Sequence, residues 1–576
     1  CRGNVIVIAS ATLAHLQLGV RPMEETNRNK SLLLSFLMLS SVMIGLVGLM
    51  PTALAANETS NGTITGTEVW SGSHTLTGDV IVATGANLIV QPGTTVTIPN
   101  GTIIDVRGGL CAGDVACGAN GMASNSSRIT FNWQEPTNAS AIGSCYGIFS
   151  GNHYNRDPSC NEGILLRSTV DIGATKLNHV SITNAYGMPR WVSEISEVRY
   201  GALVAEGSSP TMTGLKFTGI NTTSLLILDL ARPDIVGGEF TVGDDATSLI
   251  GSAIQAYGAG STVQPLSILA PVFTGTDNGC GQNDDGRHVL WVEESFVDIQ
   301  NAVIASGDYG IRLDDSAGSV TSSTIDTTCN GIDVNNKKTA GNNVAYKLTV
   351  ANNKITTDER SPLTAFNLAW VDFNNNVIDG ASDGSGIQIS KSKVTVSGGS
   401  IGPIGGWNGI WSIGESDVRV ENVTIQDTAK EPLIAGEYHF GDSGWSVPGP
   451  SENRMYVANS IIDSSGGECT GQKAWGGDFP CPAVHAFRAS VTLLNNDISI
   501  GGGGDGIRSV GAILDVRNNV INSTGTGANI KHHNTGYAGD PQYGSLAFFS
   551  GNTWTGVGQT YNISKSSVTV QSENIP

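Results

Sequence analysis

The sequence predicts an all-β protein, a solenoid built from stacked parallel strands, and three observations support this. Gly accounts for 74 of the 576 residues, and charged residues make up only 14% of the chain. Short β-branched segments recur at nearly regular intervals, separated by turns rich in Gly, Asn, Asp and Ser. Long runs of helix-forming Ala, Leu, Glu and Lys are scarce after residue 60, so the repeats consist of strands rather than helices.

The repeat is clearest in the second half of the chain, where Asn-containing segments such as NNKI and NNVI each end in an Ile. These Ile residues, with those of two related segments, lie at positions 304, 325, 355, 378, 401, 425, 462, 498 and 521. A second motif of the form Gly-Ile-x follows most of them after a few residues, as at Gly310 and Gly331. Each unit therefore contains two or three short strands.

Strands this short cannot bury an apolar side alone, but stacking equivalent strands from successive units closes a continuous core and pairs the backbone groups. Asn at the turns tolerates a left-handed φ, and stacked Asn amides can hydrogen-bond as a ladder. We expect N-terminal rungs with Cys-containing loops over 56–195 and the main repeat domain over 196–576. Segments 110–170 and 225–295 repeat less clearly, and we interpret the first as loops.

The N-terminal segment resembles a secretory signal. Met23 is the natural start, basic residues follow it, and an uncharged, largely apolar run from Ser31 ends in Ala53-Leu54-Ala55. This pattern predicts cleavage after Ala55, so that residues 1–55 are upstream residues and signal peptide. An uncleaved membrane anchor is the alternative. Either reading predicts a secreted or cell-surface protein, with membrane contact only through this segment.

Eight Cys follow the signal, an even number that fits four disulfides in an oxidising compartment. Sequence proximity suggests three pairs and leaves a fourth. Zinc binding is the weaker alternative, because the sequence has no C-x-x-C pair. The suggested pairs are Cys111–Cys117, Cys145–Cys160, Cys469–Cys481 and Cys280–Cys329.

Nine Asn residues head N-x-S/T triplets, which are acceptors for N-glycosylation where that system exists. Chance occurrence is the alternative in a chain so rich in Asn, Ser and Thr. The nine are Asn57, Asn61, Asn100, Asn125, Asn138, Asn221, Asn422, Asn522 and Asn562.

Charge excludes one class of partner. The chain has 51 acidic and 31 basic residues, a formal net charge of −20, and the basic residues are not clustered. These features exclude a nucleic-acid-binding protein. The acidity suggests attraction for Ca²⁺, the one cofactor that we consider, and no other metal site is expected.

The NNxI and GIxL segments resemble those of the right-handed parallel β-helix superfamily, the pectate-lyase-like group with its NosD-type and carbohydrate-binding/sugar-hydrolase repeats. The resemblance covers most of residues 69–570 and implies a right-handed parallel β-helix with loop insertions. It implies a polysaccharide or surface glycan as partner. In this group, pectate lyases are expected to hold Ca²⁺ with acidic residues and abstract a proton with Arg or Lys. The N-T-D, G-H-G and R-I-K segments of polygalacturonases are missing.

The third residue of each Gly-Ile-x motif should point outward, because side chains alternate along a strand. Aligned on a solenoid, these residues form a column of polar and aromatic side chains suited to sugar hydroxyls and to the apolar face of a pyranose. A solvated sheet face is the alternative. The predicted column is Arg312, Asp333, Asn367, Gln388, Trp411, His485, Arg508 and Asn529.

Catalysis has weaker support than binding. The nearest cluster to a catalytic one is Arg312 with Asp314, Asp315 and Asp333, and it matches no family motif residue by residue. Turn formation is the simpler explanation of such Asp pairs, including 284–285 and 244–245. We therefore expect an exported protein with a structural, adhesive or glycan-binding role. A polysaccharide lyase or glycoside hydrolase acting on the outer face is the alternative.

Overall fold

The computed structural model describes residues 61–134, 162–220, 222–242, 251–275, 279–280, 288–336, 347–436, 453–464, 480–531 and 544–575. The chain divides into two units, Cys1–Asn57 and Glu58–Pro576, and every described residue belongs to the second. The predicted signal segment lies outside the described residues. Within the described residues, no helix is long and apolar enough to cross a membrane.

Three long sheets contain all the described strands, and we name them sheets A, B and C. The strands of sheet A are Gly62–Ile64, Val80–Val82, Ile103–Val106, Gly163–Leu166, Met188–Val192, Glu197–Glu206, Thr223–Leu228, Ile254–Tyr257, His288–Glu293, Tyr309–Asp314, Ile332–Asn335, Leu363–Phe366, Ile387–Ser390, Ile410–Ile413, Leu433–Ala435, Val484–Phe487, Ile507–Val510, Thr526–Lys531 and Gln559–Ile563.

Sheet B follows sheet A in each turn of the chain. Its strands are Thr67–Trp70, Asn87–Val90, Gly109–Ala112, Lys176–Asn178, Thr211–Thr213, Asp234–Val236, Leu266–Leu269, Phe296–Gln300, Ala317–Thr321, Lys347–Ala351, Trp370–Asn374, Lys393–Ser397, Asp417–Glu421, Arg454–Ala458, Ser490–Leu494, Ile513–Arg517, Leu546–Ser550 and Ser567–Gln571.

Sheet C completes the turn. Its strands are Ser73–Thr75, Thr95–Ile98, Ile129–Trp133, Val180–Thr183, Lys216–Thr218, Glu239–Thr241, Val272–Thr274, Val303–Ile304, Thr324–Thr327, Lys354–Thr357, Val377–Gly380, Ser400–Ile404, Thr424–Gln426, Ile461–Ser464, Asp497–Ile500, Val520–Ser523 and Thr553–Thr555. Two short 3₁₀ helices, Val115–Cys117 and Asn125–Ser127, interrupt one early turn between sheets B and C.

One strand from each sheet makes a rung, and each strand pairs in parallel with its equivalent in the next rung. In sheet A, for example, Ile311 pairs with Ile332, which pairs with Leu363. Among the described strands, only Met188–Val192 pairs antiparallel, with Glu197–Glu206. This arrangement confirms the predicted right-handed parallel β-helix. The division of the repeats at residue 195 stays a prediction, because the sheets continue past it.

The core is a continuous column inside the coil, filled by the inward positions of all three sheets. Ile311, Ile332, Ile355 and Ile378 are each at most 1% exposed. Burying one such side chain contributes about 1.5–3 kcal/mol. The Ile residues that mark the repeat in the sequence are therefore the interior residues of sheet C.

The two Asn residues of the N-N-x-I segments have different roles. The first adopts the left-handed conformation that turns the chain from sheet B into sheet C, with φ of 58° at Asn352, 52° at Asn375 and 56° at Asn495. Asn is one of the few residues that tolerate this region well. This explains why the segment begins with Asn.

The second Asn of these segments is buried, and Asn353, Asn496 and Asn519 each bond to the equivalent Asn of the next rung. The backbone N–H of Asn496 donates to Oδ1 of Asn519 at 2.8 Å, and that of Asn519 donates to Oδ1 of Asn552 at 2.8 Å. The Asn519 amide also donates to the carbonyl of Leu493 at 3.1 Å. The ladder supplies partners for backbone groups at a turn that is closed to water.

Two of the predicted disulfides are confirmed, Cys111–Cys117 and Cys280–Cys329. Cys481 is also disulfide-bonded, but its predicted partner Cys469 lies outside the described residues. Cys145 and Cys160 lie outside them too. The disulfides indicate that the protein matures in an oxidising compartment, as exported proteins do.

Six of the nine predicted glycosylation acceptors lie in the described part, and all six are exposed. They are Asn61, Asn100, Asn125, Asn422, Asn522 and Asn562. Asn57, Asn138 and Asn221 lie outside the described residues. Glycosylation itself stays a prediction.

Candidate functional site

The outer face of sheet A carries a single column of side chains in register, which we call the sheet A column. It follows from strand pairing across ten successive rungs. Seven of the eight residues expected from the Gly-Ile-x motif lie in it. The column contains Trp291, Arg312, Asp333, Thr364, Gln388, Trp411, Ile434, His485, Arg508 and Asn529.

Asn367 is the exception, and the expected position is wrong. Thr364 occupies the column in that rung, since it pairs with both Asp333 and Gln388. Asn367 follows the strand, has a φ of 55° and donates its side-chain amide to Oδ1 of Asn335 at 2.9 Å. Asn favours the left-handed conformation that ends a strand, so A-F-N marks a strand end.

The sheet A column is a recess rather than an open, solvated face. Trp291 is 3% exposed, Trp411 7% and His485 0%. The side chains of Arg312 and Asp333 keep 12% and 16% of their surface accessible. Arg312 and Asp333 are therefore more accessible than the residues around them, and half-buried Gln388 lies two rungs beyond Asp333; we call this stretch of the column the recess.

A histidine and an aspartate meet in this recess from different rungs. Nε2 of His288 lies 3.4 Å from Oδ2 of Asp333, although their strands are separated by the strand of Tyr309. The ring of Tyr309 packs on the His288 ring with 4.9 Å between centroids. His288 is 2% exposed, and its Nδ1 has no hydrogen-bond partner. Nδ1 of His288 is thus a buried ring nitrogen without a hydrogen-bond partner beside Asp333.

Asp333 is held as a carboxylate. Burial raises its pKa, but hydrogen bonds from His288, Thr364 and Asn330 outweigh burial and hold the pKa below its usual value. Thr364 donates at 2.5 Å and Asn330 at 2.6 Å, both to Oδ1. The carboxylate therefore stays ionised at neutral pH and can orient the imidazole beside it.

Arg312 joins the same cluster from the intervening rung. Its Nε donates to Oδ2 of Asp314 at 2.9 Å, and Asp314 is fully buried. Its guanidinium lies 4.7 Å from the ring centre of Trp291, and that of Arg199 lies 5.3 Å from the same ring. A fixed, partly accessible cation is suited to a carboxylate or to sugar hydroxyls.

A second polar group lies further along the column. His485 Nδ1 is 3.2 Å from Oε1 of Glu431, and Asn408 donates to Oε2 of Glu431 at 3.0 Å. His485 and Glu431 are fully buried, whereas the Gln388 rung nearer Arg312 is half-exposed. This group therefore supports the fold, and a ligand meets the column at the Arg312 end.

The acidic candidates have different surroundings. Asp333 is accessible, whereas Asp314 and Asp315 are 0% and 3% exposed. The pairs at 284–285 and 244–245 lie outside the described residues. Within the described part, no three His, Cys, Asp or Glu side chains group as a metal site requires. Ca²⁺ binding thus stays a prediction with no described site.

His288, Trp291 and Tyr309 belong to the cluster but were not predicted from the sequence. The segment of His288 and Trp291 lacks Gly-Ile-x and falls in the stretch where the repeat is unclear, whereas Tyr309 directly precedes the Gly310 motif and was passed over. One signal was available: the interval from Trp291 to Arg312 equals that from Arg312 to Asp333. Counting back by one repeat places Trp291 in the column.

The fold defines a class, the right-handed parallel β-helix proteins. No protein-family model matches the chain, and no curated protein matches it either. Similar solved structures include the periplasmic alginate epimerase AlgG, which is 12% identical with a TM-score of 0.26 over 72% of this chain and 77% of that one.

Two further similar structures are an epimerase module and a surface adhesin. The mannuronan C-5 epimerase AlgE6 A-module of Azotobacter vinelandii is 12% identical with a TM-score of 0.27, over 84% of this chain and 91% of that one. PfbA, a surface adhesin of Streptococcus pneumoniae, is 9% identical with a TM-score of 0.23, over 83% and 86%. At these values no residue role is transferred to this chain.

Proposed function

We propose that the protein is an exported β-helix protein that binds a polysaccharide in the recess of the sheet A column. The observation that carries this proposal is the in-register run from Arg312 through Asp333 to Gln388. It combines a cation and a carboxylate on adjacent rungs, both partly accessible, with an amide two rungs further along the column. Rungs repeat about every 4.8 Å, so a polymer along the axis meets a new side chain at each step.

The side-chain chemistry suits sugars. The amide, carboxylate and guanidinium can donate to or accept from hydroxyl groups. Trp411 lies on the next rung after Gln388 and is nearly covered, so it supports the floor of the recess rather than stacking on a ligand. Contact with the glycan is therefore mainly polar, which favours specificity over high affinity.

The test is binding to a panel of neutral and acidic polysaccharides, measured by calorimetry on the full chain. We expect Gln388→Ala to weaken binding about tenfold, because it removes one direct contact. Gln426→Ala is the matched control, since Gln426 is an exposed residue of sheet C. Equal binding by both variants would contradict the proposal, as would failure of the wild-type chain to bind any polysaccharide.

A lyase that removes a proton from a uronate sugar is the second candidate function, favoured by the His288–Asp333 contact. In β-elimination, a base takes the proton from the carbon beside the sugar carboxylate. The electron pair then forms a C=C bond, and the glycosidic C–O bond breaks. In this candidate function His288, whose buried Nδ1 has no hydrogen-bond partner, supplies the base, and Arg312 binds the carboxylate. Hydrolysis has less support, because Asp314 is buried and paired with Arg312.

Release of unsaturated sugar ends from polyuronates tests this second function. We expect His288→Gln to abolish the release while polysaccharide binding is retained, because Gln keeps hydrogen-bonding capacity but cannot take the proton. Glu431 is fully buried on a later rung of the column, so Glu431→Gln is the control for a change of buried charge and should leave the release intact. Unchanged release in His288→Gln, or no release from the wild-type chain, would rule this function out.

A further inference from the structure

Aromatic side chains recur on the outer face of sheet B at a regular interval. Trp370, Tyr456 and Phe548 are half-buried there, and two strands of sheet B lie between each and the next. At the spacing of parallel rungs, successive rings are about 14 Å apart along the coil; Tyr456 and Phe548 share one register column, and Trp370 lies two residues to its side. A surface repeated in this way suits a polymer more than a small molecule.

Each of these rings is contacted by a cation from a neighbouring rung. The distances from the charged group to the ring centre are between 4.5 and 5.5 Å, within the range of cation–π interactions. The pairs are Lys347 and Lys393 with Trp370, Arg419 with Tyr456, and Arg517 with Phe548.

The cations differ in whether a carboxylate neutralises them. Nζ of Lys347 lies 2.6 Å from Asp372. Lys393 is exposed, and in the described part of the chain its ammonium forms no ion pair; its recorded contact is the ring of Trp370 at 4.5 Å. Lys393 therefore offers an ammonium beside an aromatic ring and outside any ion pair of the described residues, with Asp417 opposite it on the next strand.

We propose that this outer face of sheet B is a second polysaccharide-binding surface, and that its ligand is a chain of carboxylate-bearing sugars. The accessible part of the Trp370 ring contacts the sugar, and the ammonium of Lys393 binds the carboxylate of the same or the next sugar. A chain with a net charge of −20 repels polyanions in general, so a local cation is needed to capture one.

The face is also open to solvent. The side chains of Lys347, Arg419 and Arg517 keep 45%, 56% and 52% of their surface accessible. This surface is distinct from the recess of sheet A and does not depend on the function proposed for that recess. A long glycan could occupy either face.

The experiment measures binding of polygalacturonate to the full chain by calorimetry at low salt. We expect Trp370→Ala and Lys393→Gln each to weaken binding about tenfold, as the loss of a stacking or charge contact would. Lys354→Gln makes the same charge change on exposed sheet C and should leave binding within about twofold. Loss of binding equal to that of Lys393→Gln in this control would overturn the proposal.

Two further arms identify the ligand class and the face. Dextran tests a neutral sugar polymer, and polyglutamate tests a polyanion without sugar; we expect neither to compete with polygalacturonate. Equal binding of polyglutamate would show charge recognition alone and would overturn the proposal. Binding that is lost in Gln388→Ala but unchanged in Trp370→Ala would assign the site to sheet A alone and would overturn it too. No binding of polygalacturonate would have the same consequence.

Discussion

The outer faces of sheets A and B are built from the same kinds of residue but differ in burial. Trp291 on sheet A is 3% exposed and lies beside two arginines, whereas Trp370 on sheet B is half-buried beside two lysines. Charged groups form close ion pairs on both sheets, but those of sheet A lie inside a recess and those of sheet B are exposed to water. Burial therefore decides how much of a cation–aromatic pair is accessible to a ligand.

Truncating the two tryptophans should show the largest difference between the faces. We expect Trp291→Ala to lower the free energy of unfolding by about 3–5 kcal/mol, because it leaves a cavity under Arg199 and Arg312. Trp370→Ala should lower it by only about 1 kcal/mol. Denaturant unfolding followed by circular dichroism measures both. Equal losses would contradict the contrast in burial.

Neutralising Asp333 should have a smaller effect that depends on pH. The pKa of Asp333 is lowered in the folded state, chiefly by hydrogen bonds that outweigh burial. The contribution of ionised Asp333 to the free energy of unfolding is therefore fully present above the ordinary pKa of 3.8. It is lost as the pH falls through the lowered pKa of the folded state. We expect Asp333→Asn to cost about 2 kcal/mol at pH 7 and less in acid.

Unfolding measured from pH 7 down to the acid limit checks this prediction. Asp372→Asn on sheet B is the matched variant, since its ion pair with Lys347 is more exposed. A loss for Asp333→Asn that stays constant over the whole acid range would contradict the proposed ionisation.

Alkaline pH should weaken the fold through Tyr257, which also lies on the outer face of sheet A. Burial raises its pKa to about 12, from an ordinary value of 10.0. The folded protein therefore keeps the phenolic proton of Tyr257 at a pH where the unfolded chain loses it. The free energy of unfolding should fall by roughly 1.4 kcal/mol per pH unit from pH 10 to about 12. Comparing the wild type with Tyr257→Phe isolates this slope from the other tyrosines. Identical slopes would refute the prediction.

The smallest effect is expected for an exposed ion pair on sheet B. Nη2 of Arg419 lies 2.6 Å from Oε1 of Glu421, but 56% of the arginine side chain is accessible to solvent. Arg419→Ala should cost less than about 1 kcal/mol, and the difference should shrink in high salt. Chemical unfolding at two salt concentrations measures this. A large, salt-independent loss would show that the face is not open as described.

The sequence predicted the fold through residues whose roles are local. Three features are set by neighbouring residues: an Asn that turns the chain, an Ile three residues on, and alternation along a short strand. Asn375 and Ile378 could therefore be placed without a structure. Early rungs were harder to predict. Gly109–Ala112, Ile129–Trp133 and Gly163–Leu166 are rung strands in a segment interpreted as loops, because insertions separate them and the Asn marker is missing.

The site was only partly predictable for a different reason. Register along sheet A follows from alternation, so Arg312, Asp333 and Gln388 were placed correctly in one column. Their burial depends on distant parts of the chain, and the meeting of His288 with Asp333 depends on a side chain reaching past a whole rung. No local pattern encodes such contacts. The sequence alone could therefore indicate which face carries the chemistry but not which atoms meet there.

The ladder of buried Asn amides has a consequence for how such a molecule can change its size. Over 496–552 each buried Asn bonds to the equivalent Asn of the neighbouring turn, so each of these units brings its own connector. Duplicating or deleting one whole unit there would leave the ladder unbroken, whereas a partial deletion would leave an amide without its partner. We therefore expect this part of the coil to tolerate changes in length only by whole repeat units.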